Sequence, residues 1–154
     1  MRQLIVLAVA AAGLFAAPLA QAGSDTDRAT GGGQVLINTR GGAGDTIAFT
    51  AQETATGAKG QVQYVDRTAT GQTVHHGRVT CLVVDGTTAT IGGTWERGAT
   101  GGFEILVTDN GEGATATDMI TIADVTTPDC GDPEQDEEDQ IALARGNAQV
   151  YDAP

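Results

Sequence analysis

VHHGRVTCLVVDGTTATIGGTWERGATGGFEILVT, residues 74–108, reads as three strands joined by two glycine-bearing turns. Side chains alternate between faces along a strand. Val79, Cys81 and Val83 therefore share one face of the first strand, and Thr80, Leu82 and Val84 the other. Asp85-Gly86 predicts a tight type I′ hairpin, because that turn needs residues tolerant of left-handed backbone. The return strand carries Ala89, Ile91, Gly93 and Trp95 at every second position. Gly92-Gly93 within it predicts a bulge or sharp bend, as at a barrel corner. After the turn over 98–102, Phe103, Ile105 and Val107 alternate again.

The same rhythm extends both ways. Upstream, residues 34–39, 45–53 and 60–66 read as strands, with Ile47 and Phe49 on one face of the second and Val62 and Tyr64 on one face of the third. Downstream, 115–124 and 141–151 read as strands, the last interrupted by Gly146-Asn147. Between them, 126–140 breaks the pattern with two prolines, Cys130 and an acidic run, and reads as an exposed loop or short helical turn. Eight short strands with turn-rich links and no long helical pattern predict an all-β, antiparallel eight-strand meander. Pairing the first strand with the last would close it as an up-and-down β-barrel and remove the exposed edges; a two-sheet β-sandwich is the alternative. The expected core is Ile47, Phe49, Val62, Tyr64, Val79, Val83, Ile91, Trp95, Phe103, Ile105, Val107 and Ile122.

The first 22 residues predict export. Arg2 supplies a positive start, residues 4–15 are apolar or small, and Ala20-Gln21-Ala22 is a small-x-small cleavage site. The run is too short to span a bilayer and contains Gly13, with Pro18 soon after. Residues 1–22 are thus read as a signal peptide, 23–30 as a flexible tail, and 31–154 as a single β-domain with an acidic loop at 126–140. Export makes the expected location secreted or extracellular, with no membrane insertion after cleavage. Cys81 and Cys130 are the two cysteines, and in an exported chain they most simply form one disulfide. A bridge across so long a loop is worth about 4 kcal/mol in the chain-entropy model. The formal net charge of -12 disfavours nucleic acid and anionic membrane as partners.

Several spaced elements carry a family likeness. They are Gly31-Gly32-Gly33-Gln34-Val35, Lys59-Gly60-Gln61-Val62-Gln63-Tyr64-Val65-Asp66, Val74-His75-His76-Gly77, Asp85-Gly86-Thr87-Thr88-Ala89-Thr90 and Val107-Thr108-Asp109-Asn110-Gly111-Glu112. In this order they resemble the bacterial secreted post-COAP domain family, over most of the chain after residue 22. The resemblance implies an exported module, free or attached to larger extracellular proteins. It brings no activity and no catalytic residue, and the acidic insert with Cys130 departs from the pattern.

The residue inventory excludes more chemistry than it suggests. Ser24 is the only serine and lies in the expected tail, which argues against a Ser-His-Asp hydrolase. Bridged cysteines leave no thiolate nucleophile. Lys59 is the only lysine and has no flanking apolar pocket, which argues against Schiff-base chemistry. His75 and His76 are adjacent on a strand, so they point to opposite faces and cannot chelate one ion together. One is expected inward as a core residue and the other in solvent.

For calcium, the chain lacks the EF-hand spacing, and the near-match to a calcium nonapeptide at 41–47 misses one residue and occurs once. Asp129, Asp132, Glu134 and Asp136 in the acidic loop, or Asp109 and Glu112 in a turn, remain as oxygen ligands for weak calcium binding. A solvated charge run is the plainer account of the loop. Trp95 and Tyr64 are the candidates to face a small ligand in a barrel mouth, with core packing as the plainer role. Carboxylate pairs for glycoside hydrolysis have no fixed separation in the sequence.

The expectation is a secreted, non-enzymatic β-domain without a cofactor, a structural or interaction module for an extracellular protein or glycan. A small-ligand carrier using the barrel interior and a weak calcium-binding module are the alternatives.

Overall fold

Each strand lies beside the next in sequence, and the sheet curls until its two edges meet. A computed structural model describes residues 26–36, 44–68, 70–112, 116–132 and 137–154. The strands are β1 (Arg28–Val35), β2 (Asp45–Gln52), β3 (Lys59–Thr68), β4 (Gly71–Asp85), β5 (Thr88–Arg97), β6 (Gly102–Thr108), β7 (Met119–Val125) and β8 (Ile141–Tyr151), with a 3-10 turn at Glu137–Asp139 before β8. Each pairs antiparallel with the next, and β1 pairs with β8 from Arg28↔Tyr151 to Val35↔Leu143, giving one closed barrel. Closure selects the barrel over the sandwich. The expected signal peptide, 1–22, lies outside the described residues, among which no helix is long and apolar enough to cross a membrane.

Side chains fill the bore. Ile47, Phe49, Val62, Val79, Ile91, Phe103, Ile105 and Val107 are buried there, as the alternation predicts, and Tyr64 and Ile122 pack against them half-buried. Val83 is a correction, being 45 % exposed while Leu82 is buried in its place. The ladder pairs Val79 with Gly93 and Cys81 with Gly92, leaving Thr80 unpaired between them. One inserted residue reverses every later side chain in the strand. Cys81 thereby turns outward, where its disulfide lies. The Gly92-Gly93 pair sits opposite this bulge rather than forming one.

Strand bounds and one turn also shift. Residues 28–30 belong to β1, not to a loose tail: Ala29 is fully buried, and Gly31-Gly32-Gly33 are paired on both sides, with β2 and with β8. The strand expected over 34–39 is thus only the end of β1, and its residues 37–39 lie outside the described residues. The β4–β5 loop has Gly86 and Thr87 at its centre, with positive φ at Gly86 alone. That matches a type II′ turn, not I′. β8 runs unbroken through Gly146-Asn147, with its irregularity at Ala144.

Two devices complete the wall. β7 and β8 share only two ladder pairs, Met119↔Ala142 and Ile120↔Ile141. Further along β8, carboxylates stand in for the missing strand. Asp118 accepts from the Ala148 amide at 2.6 Å and from the Asn110 amide at 3.0 Å, and Asp109 accepts from the Val150 amide at 3.1 Å. The second device is a strap over 126–132 that crosses the outside of the barrel and is held to β4 by the Cys81–Cys130 disulfide, Cα to Cα 6.1 Å. Gly92 lies beneath it, where a Cβ would come 2.5 Å from Cys81 Sγ and 2.9 Å from Pro128. Outward-pointing Glu104 is buried under the strap and accepts the Asp129 amide at 2.6 Å.

Candidate polar site in the barrel mouth

At one end of the barrel the inward alternation passes from apolar to acidic on three strands. On β2 the series Phe49, Ile47 ends in Asp45; on β3, Val62 and Tyr64 lead to Asp66; on β7, Ile120 and Ile122 lead to Asp124. β4 and β5 contribute His75 and Trp95 at the same level. The rings form a row, with Tyr64 to His75 centroids 5.8 Å apart, His75 to Trp95 5.4 Å, and Trp95 to Phe103 4.7 Å. Gly77 makes room for it, since a Cβ there would lie 2.4 Å from the Phe103 ring.

Most of the polar groups here are paired. Asp45 is fully buried, accepting from Tyr64 Oη at 2.6 Å and from the Arg67 amide at 2.7 Å. Arg67 caps that corner, its guanidinium donating to the Gly44 carbonyl at 3.0 Å and Thr46 Oγ1 at 3.1 Å. Trp95 Nε1 donates to Asp124 Oδ1 at 2.7 Å. Two atoms differ. Asp66 Oδ1 and His75 Nδ1 are buried and have no hydrogen-bond partner among the described residues. Burial, the bond to Asp45, and then the charges of Asp45, Asp66 and Asp124 together push the Tyr64 phenol far above its ordinary value. It is a neutral hydrogen-bond donor here, not a base.

The structure thus brings Tyr64 and Trp95, both candidates from the sequence, into one cluster, in which each is also a packing residue. It adds Asp45, Asp66, His75 and Asp124 as their polar partners. His75 takes the inward place and His76 the outward one, 3.3 Å from Arg97. A signal for the carboxylates exists in the sequence, because each continues an apolar series at period two.

The acidic-loop candidates are not brought together in this way. Asp129 is exposed and its Oδ1 accepts the Gly131 amide at 3.0 Å, a turn contact within the strap. Asp132 is exposed, and Glu134 and Asp136 lie outside the described residues. Asp109 and Glu112 are occupied with β8, Glu112 accepting from Asn147 Nδ2 at 3.0 Å. Among the described residues no three His, Cys, Asp or Glu side chains are placed to hold one metal ion. No family model, curated protein or solved structure matches the chain.

Proposed function

We propose that this is an exported, non-enzymatic barrel module that works through its outer wall, as a structural or interaction domain for an extracellular protein or glycan. The observation that carries this is the filled bore. Phe49, Ile91, Phe103, Ile105 and Val107 occupy the space in which a carrier of the same strand number holds its ligand. A disulfide-held strap suits an oxidising compartment. On the outside, Thr30, Thr50, Gln61, Gln63, His76 and Glu96 border a shallow groove of about 450 Å³ across β1 to β5. Hydroxyls and amides in such an array match the hydrogen-bonding groups of a sugar or an extended peptide.

The test compares native protein with a Gln61→Arg, Gln63→Arg double variant for retention of extracellular glycans and secreted proteins. Retention by the native wall and its loss in the variant, with unchanged thermal unfolding, is the expected result. A stoichiometric small molecule released from the purified protein on denaturation would instead make it a carrier.

A further inference from the structure

The barrel mouth holds a chemical demand that its own residues leave unmet. Asp66 and His75 stand on neighbouring strands, Asp66 opposite Thr73 and His75 opposite Tyr64. Both side chains are half-buried, and each has one buried polar atom without a partner among the described residues. A buried polar atom without a hydrogen bond is costly, so such atoms call for a partner. The carboxylate of Asp66 only accepts, and a neutral imidazole protonated on Nε2 also presents Nδ1 as an acceptor. Acceptors on diagonal neighbours of one ladder are met together by a group with at least two N–H or O–H donors.

The surroundings decide its charge. Three carboxylates, those of Asp45, Asp66 and Asp124, act on the Tyr64 phenol with their charges, while the Arg67 guanidinium donates to Gly44 and Thr46. The rings of Tyr64, His75 and Trp95 lie side by side, and aromatic faces attract cations. The whole chain, at -12, steers positive charge toward itself. We infer that the mouth binds a primary ammonium group, held between the Asp66 carboxylate and the His75 imidazole against the faces of Tyr64 and Trp95. This site is separate from the groove on the outer wall. Its occupant is either a free alkylamine or a lysine side chain presented by a partner.

The experiment titrates the oxidised protein at neutral pH with n-butylamine, with 1-butanol and with tetramethylammonium, following Trp95 emission and the heat of binding. A blocked tripeptide, acetyl-Gly-Lys-Gly-amide, forms a further arm. Saturable binding of butylamine, with at least about tenfold weaker binding of both the neutral alcohol and the donor-free cation, is expected. Asp66→Asn should weaken it by about tenfold or more without lowering Tm, since the buried Oδ1 has no hydrogen-bond partner among the described residues. His75→Gln serves as a second variant, keeping a polar acceptor while removing the ring. Tighter binding of the peptide than of butylamine assigns the site to a protein partner, and the reverse order to a free amine. Equal responses of native protein and Asp66→Asn, or no saturation by about 10 mM butylamine, would mean a bridging water only and would overturn the assignment. Either result leaves the outer groove to be judged by its own variant.

Discussion

Thr80 is unpaired in the ladder, and every residue of β4 after it faces the other way. The consequence is measurable two residues on. Leu82→Ala should cost about 2–5 kcal/mol in denaturant unfolding, as a cavity in the core does. Val83→Ala should stay within about 0.5 kcal/mol, as exposed substitutions do. The opposite order would restore the unbulged register. Tyr64 gives a second prediction at this scale. Its phenol ordinarily ionises near pH 10, and in the folded barrel its pKa is raised. Below about pH 10 it is neutral in both folded and unfolded chains, and its stabilising contribution is complete. Above that, the unfolded chain releases the proton while the folded chain keeps it, so stability falls as pH rises. The difference in tyrosinate absorbance between native protein and Tyr64→Phe should therefore stay flat through pH 10 and rise only with unfolding. A titration step near pH 10 without unfolding would contradict the buried bond to Asp45.

At the scale of the element, the strap and the β7–β8 seam are where the barrel departs from a plain ladder. Removing the bridge with Cys81→Ala and Cys130→Ala should cost about 2–5 kcal/mol, and hydrogen exchange at the Asp129 amide should speed up along with it. The seam depends on side chains. Asp118→Ala leaves the buried Ala148 amide without its acceptor, which costs about 1–3 kcal/mol, and exchange should rise at Ala148 before it rises in β6. Neither device has a residue-type signature in the sequence. The disulfide follows from counting cysteines in an exported chain, but the surface it fastens onto does not. Cys81 is outward only because of the bulge, and one extra backbone residue is invisible to an apolar-polar pattern. Likewise, Gly31-Gly32-Gly33 falls outside the strand read over 34–39, because glycine lacks strand propensity. In the barrel the run is paired on both sides, and the Phe49 ring lies where a Gly31 side chain would begin.

For the whole molecule, the period-two alternation and the spacing of turns made eight strands, their order and most of the bore legible. Each strand pairs with its sequence neighbour, so local signals and global topology agree, with the β1–β8 pairing as the one distant step. The mouth was half legible. Trp95 and Tyr64 stood out as rare aromatics, while Asp45, Asp66 and Asp124 read as strand ends, although each continues an inward series.

Closure between β1 and β8 also fixes where the polypeptide enters and leaves. Arg28 stacks over the Tyr151 ring at 4.5 Å, and the Ala153 amide donates to Asp27 at 2.9 Å, both at the end away from the aromatic mouth. Entrance and exit are thus within a few residues' reach, as in a bead threaded through one hole. The barrel can be spliced into a loop of another polypeptide without stretching its host. It can also be circularly permuted. A chain rejoined from Ala153 to Asp27 by a short glycine linker, and opened at the exposed turn between Thr56 and Gly57, should unfold in one cooperative transition like the parent.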